Sequence, residues 1–518
     1  MNKAWILTLM LFLALGVHDM ALDANFTVTP VTIETTMIDG VEHTKIVGTV
    51  ENEQGVMSDQ VIQYLRGNPT IDNNLHVIAA DAYLPFSYST ATVSNIIAAT
   101  NNRYDHYDVI GGINGDYYNM TVGIPVEAYI RNYEVLSSGL GYERPVIGFK
   151  DSGEVIFGRP CYEGMELLIY RSDGALRNRL PVERINRLPF SDRGTTVFFS
   201  DYTQTITTSF PKLIIDTGEY KTDGYQTRYF GSGDYLSTTT DEITVPDGSF
   251  VIVSNDPYVT DVIRTNDRVV VQQKVGCGFE DVRFAIGTWE HLVSGGVATN
   301  SLTYGTAPAS DNPRTAIGVT TTGDVILLTV DGRQAAAGMD GMSLYEVADL
   351  MVSLGAVEAY AMDGGGSTTM VVKDPDDGSY DITNSPSDGS PRRVSNAILF
   401  VNGSHPDPVQ ELGLPDLSER LPIPSNLFID NEGVLRFNKV DHAEGYEIVI
   451  NDTTYPTLSR DLPLNFAPGT YAIQVRAKGD GMYYADSPYS GTLIYTVLDD
   501  RSARIAELFR NYANSENK

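Results

Sequence analysis

Asp363 is followed by Gly364, Gly365, Gly366, Ser367 and Thr368, an acid set at the start of a backbone stripped of side chains. Glycine tolerates positive φ and lets several N–H groups converge on one point, where an anionic oxygen can sit. A second acidic turn, Asp331-Gly332-Arg333, and a polar stretch, Asn114-Gly115-Asp116-Tyr117-Tyr118, add carboxylates, an amide and aromatic faces, while Arg314 and Arg392 add cations. Glycine N–H groups and arginines for an oxyanion, aspartates for proton transfer and tyrosines to stack on a sugar face form a kit suited to a phosphorylated carbohydrate. The sequence has no Gly-Lys-Ser/Thr of a P-loop, no Gly-x-Ser-x-Gly nucleophile elbow and no dinucleotide fingerprint at the glycines. Its seven histidines show no metal-ligand spacing. The sequence assigns no certain cofactor and leaves room for a divalent metal beside the aspartates.

The elements that must position these residues are readable around the two acidic turns. Val325–Val330 is a continuous apolar run that stops at Asp331. Ser343 and Glu346 have the spacing of a capping box, and Leu344, Val347, Ala348, Met351 and Leu354 recur at helical spacing until Gly355 ends the helix. A strand over 357–362 then delivers Asp363. Strand, helix, strand predicts a βαβ unit with parallel strands, which would put Asp331 and Asp363 at one sheet edge facing one crevice. The predicted fold class is therefore α+β: a mixed α/β catalytic domain with a βαβ unit, followed by a small all-β sandwich.

At 518 residues the chain is long enough for two or three domains. Residues 1–24, with Lys3 ahead of a short apolar run and small residues near Ala21 and Ala24, read as a secretory signal peptide. A β segment follows over 25–75, then a catalytic domain over 76–403 with a β-rich insert at 161–290, a Pro-containing linker over 404–420, a β sandwich over 421–498 and a polar tail over 499–518. No other stretch is apolar enough to span a bilayer, so secretion to the extracellular space or the bacterial cell surface is expected. Lys plus Arg number 36 against 67 Asp plus Glu, a net charge of −31 that argues against nucleic acid as a partner. The two cysteines, Cys161 and Cys277, are compatible with a disulfide in an exported protein and equally with two buried thiols.

Taken in order, Asn114-Gly115-Asp116-Tyr117-Tyr118, Asn312-Pro313-Arg314-Thr315-Ala316, Val330-Asp331-Gly332-Arg333, Ser343-Leu344-x-Glu346, Met362 to Thr368 and Pro391-Arg392-x-Val394-Ser395-Asn396 resemble the phosphodiester glycosidase family over roughly residues 76 to 403. The resemblance implies a mixed α/β domain and hydrolysis of a sugar 1-phosphodiester on a phosphorylated glycan, with a phosphomonoester leaving. It assigns acid, base or nucleophile chemistry to Asp363 and Asp331 with Asp116 third. Asn114, Arg314, Arg333, Gly364, Gly365, Gly366, Ser367, Thr368 and Arg392 would then hold sugar and phosphate. This chain has Asn-Gly-Asp-Tyr-Tyr where the family usually has Asn-Gly-Gly-Phe-Phe, which weakens the assignment of Asp116. Residues 443–448 and 469–477 resemble fibronectin type III modules, which implies a spacer or a contact with the cell wall. The alternative is a non-catalytic glycan- or wall-binding surface protein that retains the fold.

Overall fold

In a computed structural model of the chain, the strand Val325–Val330 is apolar throughout because both of its faces are covered. Val325 and Leu327 enter one buried cluster with Leu65, Ile113, Ile317 and Phe400. Ile326, Leu328 and Val330 enter another with Val347, Ala348 and Met351 of the helix Leu344–Ser353. The structure describes residues 20–21 and 27–497, other than 52–54, 84–87, 141–143, 163, 171–175, 201, 223–226, 247–248, 265–266, 303–308, 406–420, 444, 452, 480–483 and 485. The expected signal peptide (apart from 20–21), nearly all of the linker and the polar tail lie outside the described residues.

The mixed α/β class with a βαβ unit does not hold. The described chain is mostly strand, and Val325–Val330 and Ala356–Ala361 are not neighbours. Arg314–Thr320 lies between them and pairs antiparallel with both, through Arg314 to Val330 on one side and Ala316 to Ala361 on the other. The two outer strands thus run in the same direction without sharing a hydrogen bond. An unbroken apolar run reports burial on both faces, and parallel pairing is only one way to achieve that. Here the helix covers one face and a second sheet covers the other.

This sheet continues from Val325–Val330 into an N-terminal meander of Met57–Gly67, Val41–Glu51 and Thr27–Ile38, all antiparallel. The opposing sheet orders Tyr380–Ile382, Met370–Lys373, Tyr107–Asn114, Asn396–Gly403 and Leu75–Asp81, again antiparallel throughout. The helix Val93–Arg103, capped by the Thr92 side chain, buries Val93, Ile96 and Ile97 in the core that the two sheets share. Strands between Ala128 and Gly287 build two further sheets, of five and eight strands. Of the two states open to the cysteines, the disulfide is formed: Cys161 and Cys277 are bonded with their Cα atoms 5.3 Å apart. Residues 421–497 pack a three-stranded and a four-stranded sheet around Leu435, Ile448 and Val475. Among the described residues no helix is long and apolar enough to cross a membrane.

Asp81, at the end of Leu75–Asp81, ties these parts together. It is fully buried and accepts from Arg103 at 3.1 Å, Tyr129 at 2.7 Å and Arg131 at 2.9 Å, linking a helix and a strand of the five-stranded insert sheet to the core. Burial opposes its charge, but Arg131, then Arg103, outweigh it and hold the carboxyl below its ordinary value. A depressed carboxyl stabilises the fold above its unfolded pKa and loses that contribution as pH falls through the folded one. Thermal midpoints measured from pH 5 down to pH 2 should therefore fall more steeply for the wild type than for Asp81→Asn; parallel curves would remove Asp81 as the cause.

Candidate functional site

The acid and glycine turn lies where the two core sheets meet at one edge, and Asn114 fastens it there. Asn114 ends Tyr107–Asn114, is fully buried, donates from Nδ2 to the Asp363 carbonyl at 2.6 Å, and accepts at Oδ1 from Thr315 Oγ1 at 2.9 Å and from the Thr369 amide at 3.1 Å. One side chain thereby joins the strand carrying Arg314 to both ends of the turn. Its polar atoms are occupied by protein, so its place in this structure is beneath the site. The Asp363 amide donates to Gly115 O at 3.1 Å and completes the anchorage.

The glycine turn is partly closed by its own backbone and by Pro313. Gly365 N–H donates to Pro313 O, Ser367 N–H to Gly364 O and Thr368 N–H to Gly365 O, as the chain turns through a short 3-10 helix. What the bare backbone admits is arginine. A Cβ on Gly365, whose φ is +61°, would stand 2.9 Å from Arg333 Nη1, and one on Gly366 would stand 2.0 Å from Arg392 Nη2. The two guanidinium groups lie against successive glycines, and that of Arg392 acts on the Asp363 charge. Arg333 holds itself there with a φ of 56° and by donating from Nε to Asn312 Oδ1 at 2.8 Å. Arg392 is gripped by Asp388, with Nε at 2.9 Å and Nη2 at 2.7 Å from the same carboxylate oxygen. Arg314 lies further back, donating to Met342 O at 2.8 Å and Ser310 O at 2.5 Å. Burial, then its neighbour Arg333, lower Arg314 to about 10.

Asp363 is 8 % exposed, and burial raises its carboxyl to about 7 against the opposing pull of the Ser367 hydroxyl, Arg392 and the Gly364 backbone. A group poised there can accept or release a proton near neutrality. Ser367 and Thr368 are buried under the turn. Asp331 is 2 % exposed and occupies a separate setting: Asn384 Nδ2 and the Ser385 amide donate to it at 3.1 and 3.0 Å, while Asn384 also donates to Thr368 O. Burial raises Asp331 to about 6. The structure thus places Asp331 behind the loop that carries Asp388, linked to the turn through Asn384 rather than through Asp363. Asp116 is 1 % exposed, accepts at Oδ2 from the Glu127 amide at 2.9 Å and has no hydrogen bond at Oδ1; burial pushes it well above the ordinary carboxyl range.

Two tyrosines of the same segment come beside the acid. Tyr117 and Tyr118 are both raised by burial and then by the Asp363 charge. Tyr117 packs on Trp289 at 4.1 Å between ring centroids, and Arg144 covers the Trp289 ring at 3.6 Å. Trp289, Arg144, Glu127, Asn384 and Asp388 were not among the expected site residues. Trp289 carried a signal, being one of two tryptophans in the chain and the one outside the expected signal peptide. Among the described residues no group of three or more His, Cys, Asp or Glu side chains is arranged to hold a metal ion.

A largely antiparallel β scaffold brings a buried, raised carboxyl within reach of Arg392 and sets two arginines against the glycine backbone, an arrangement suited to acid–base chemistry next to an anionic group. Residues 211–401 match the family model of the phosphodiester glycosidases. An uncharacterised prophage-derived protein of Bacillus subtilis, YomE, is 35% identical over 96 residues, which make up 18% of this chain and 13% of the relative, so the match spans a small part of that protein. The structure of a hypothetical protein from Synechocystis shares the fold, with a TM-score of 0.52 at 19% identity, over 72% of this chain and 64% of the other. The catalytic domain of zebrafish N-acetylglucosamine-1-phosphodiester alpha-N-acetylglucosaminidase, auto-inhibited by its pro-peptide, matches with a TM-score of 0.38 at 12% identity, over 74% of this chain and 89% of the other. The C-terminal sandwich, residues 421–497, lies outside the family match.

Proposed function

We propose that the protein is a secreted hydrolase that cleaves the glycosidic bond of sugar 1-phosphodiesters on cell-surface or extracellular glycans, releasing free sugar and a phosphomonoester. The observation that carries this reading is the buried Asp363 carboxyl within reach of the Arg392 charge, on a glycine turn against which Arg333 also lies, within the span matched to phosphodiester glycosidases. A phosphate leaves readily once its charge is held, so the arginines stabilise the departing group and Asp363 activates water or attacks the anomeric carbon. Tyr117 and Tyr118 offer faces and hydroxyls to the sugar. Asp331 and Asp116 serve as the further carboxyls, Asp331 also fixing the 384–385 loop. The C-terminal sandwich serves as a contact to the cell wall.

Incubation with a sugar 1-phosphodiester should yield reducing sugar and phosphomonoester in equal amounts. Binding of purified wall polymer with no product after long incubation would instead identify a binding protein. Gly366→Ala tests the arginine clamp. Its Cβ must displace Arg392, and loss of one charged hydrogen-bonding group lowers kcat/KM by about ten- to a hundredfold; unchanged kinetics would remove Arg392 from the mechanism.

A further inference from the structure

One cluster of charge is unlike the rest of this acidic chain. Glu127, which precedes the strand Ala128–Arg131, is 5 % exposed and lies within the electrostatic reach of Arg144, Arg187, Arg159 and Arg184. Arg184 and Arg187 are themselves buried. Arg184 donates to Leu188 O at 2.8 Å and to Gly139 O, and Arg187 donates to Pro125 O, yet the Nε of each is buried without an acceptor. They also repel one another: burial, then Arg187, lowers Arg184 to about 10. Glu183 and Glu127 oppose this only in part. Glu127 is itself raised to about 7 by burial despite its arginine neighbours, so near neutrality it is a weak counter-charge.

Burying adjacent cations with unmet donors costs free energy unless an anion meets them. The donors left unmet are the Nε groups of Arg184 and Arg187. The cluster is also joined to the Asp363 site. Arg144 Nε stands 3.9 Å from Glu127 Oε1 and its guanidinium covers Trp289, whose ring packs on Tyr117 beside Asp363.

We propose that the Arg144, Arg159, Arg184 and Arg187 cluster is a second anion subsite, which takes a phosphate carried by the substrate beyond the bond broken beside Asp363. The preferred substrate is then a chain of repeated phosphodiesters rather than a single one. This deepens the hydrolase reading and rests on it for the identity of the ligand, while the subsite itself stands on the cluster.

The test compares two sugar 1-phosphodiesters, one with a second phosphate on the leaving group and one with a matched neutral group. Wild type should show a KM about tenfold lower for the doubly charged substrate, the worth of one charge-assisted contact. Arg159→Gln, at an exposed position, should erase that ratio with kcat unchanged, and Arg144→Gln should erase it as well. No preference in the wild type, or the same preference in both variants, overturns the subsite. Calorimetry with inorganic phosphate separates this from failure of the hydrolase reading. Binding lost in Arg159→Gln but kept in Arg392→Gln supports the subsite even if neither substrate turns over, and binding unaffected by Arg159→Gln and Arg144→Gln overturns it.

Discussion

Replacing Asp363 with Asn should lower kcat for a sugar 1-phosphodiester by about 10³-fold while making the folded protein more stable above neutral pH. The two effects have one cause. Asp363 is raised from 3.8 to about 7, chiefly by burial, so the folded state favours its protonated form. A raised carboxyl contributes stability that is fully present below its unfolded pKa and is lost as pH rises through the folded one. At pH 8 the wild type holds a buried carboxylate that Asn does not, so the thermal midpoint of Asp363→Asn should exceed that of the wild type at pH 8 and the excess should vanish toward pH 4. The ionised form is the one that activates water or attacks carbon, so wild-type kcat/KM should rise with pH through about 7. A kcat within tenfold of wild type would remove Asp363 as the reacting group. A stability difference independent of pH would show that its carboxyl does not titrate in this window.

Removing the disulfide with Cys161→Ser and Cys277→Ser together should cost about 5 kcal/mol, the chain-entropy value for a loop of this length. The bond closes 116 residues, which contain the whole eight-stranded sheet. It also holds Cys161 against Gly276, where the backbone groups exchange hydrogen bonds of 3.3 and 2.8 Å. Chemical denaturation under oxidising conditions should show the loss in the midpoint of unfolding. Because Arg159 lies two residues before Cys161 in sequence, the double variant should also weaken phosphate binding more than it slows hydrolysis of a singly charged substrate. A change below about 1 kcal/mol would mean that the unfolded chain is already compact around the two cysteines.

Local features were legible because the atoms that form them lie within a few residues of one another. Ser343 and Glu346 make the reciprocal capping bonds expected of them, the Ser343 amide to Glu346 Oε2 at 2.7 Å and the Glu346 amide to Ser343 Oγ at 3.2 Å. Gly355, past the end of that helix, has the positive φ of +88° that stops it. The Asp363 turn was equally visible, but its purpose was not: the glycines admit Arg333 and Arg392 from segments on either side, which no local pattern contains.

Residue types alone located the acid, the glycines and the arginines, and the strand ends that deliver them, since these follow from side-chain chemistry and hydrogen bonding along neighbouring residues. Which strand pairs with which followed from long-range packing. Arg314–Thr320 enters between Val325–Val330 and Ala356–Ala361 because its own apolar residues, Ala316 and Ile317, complete the clusters on the two faces of the sheet. That insertion replaced a parallel unit by an antiparallel one, yet kept Asp331 and Asp363 at strand ends of like direction. The arginines around Glu127 come from separate segments, and the burial of Arg184 and Arg187 beside it exists only once those sheets have closed.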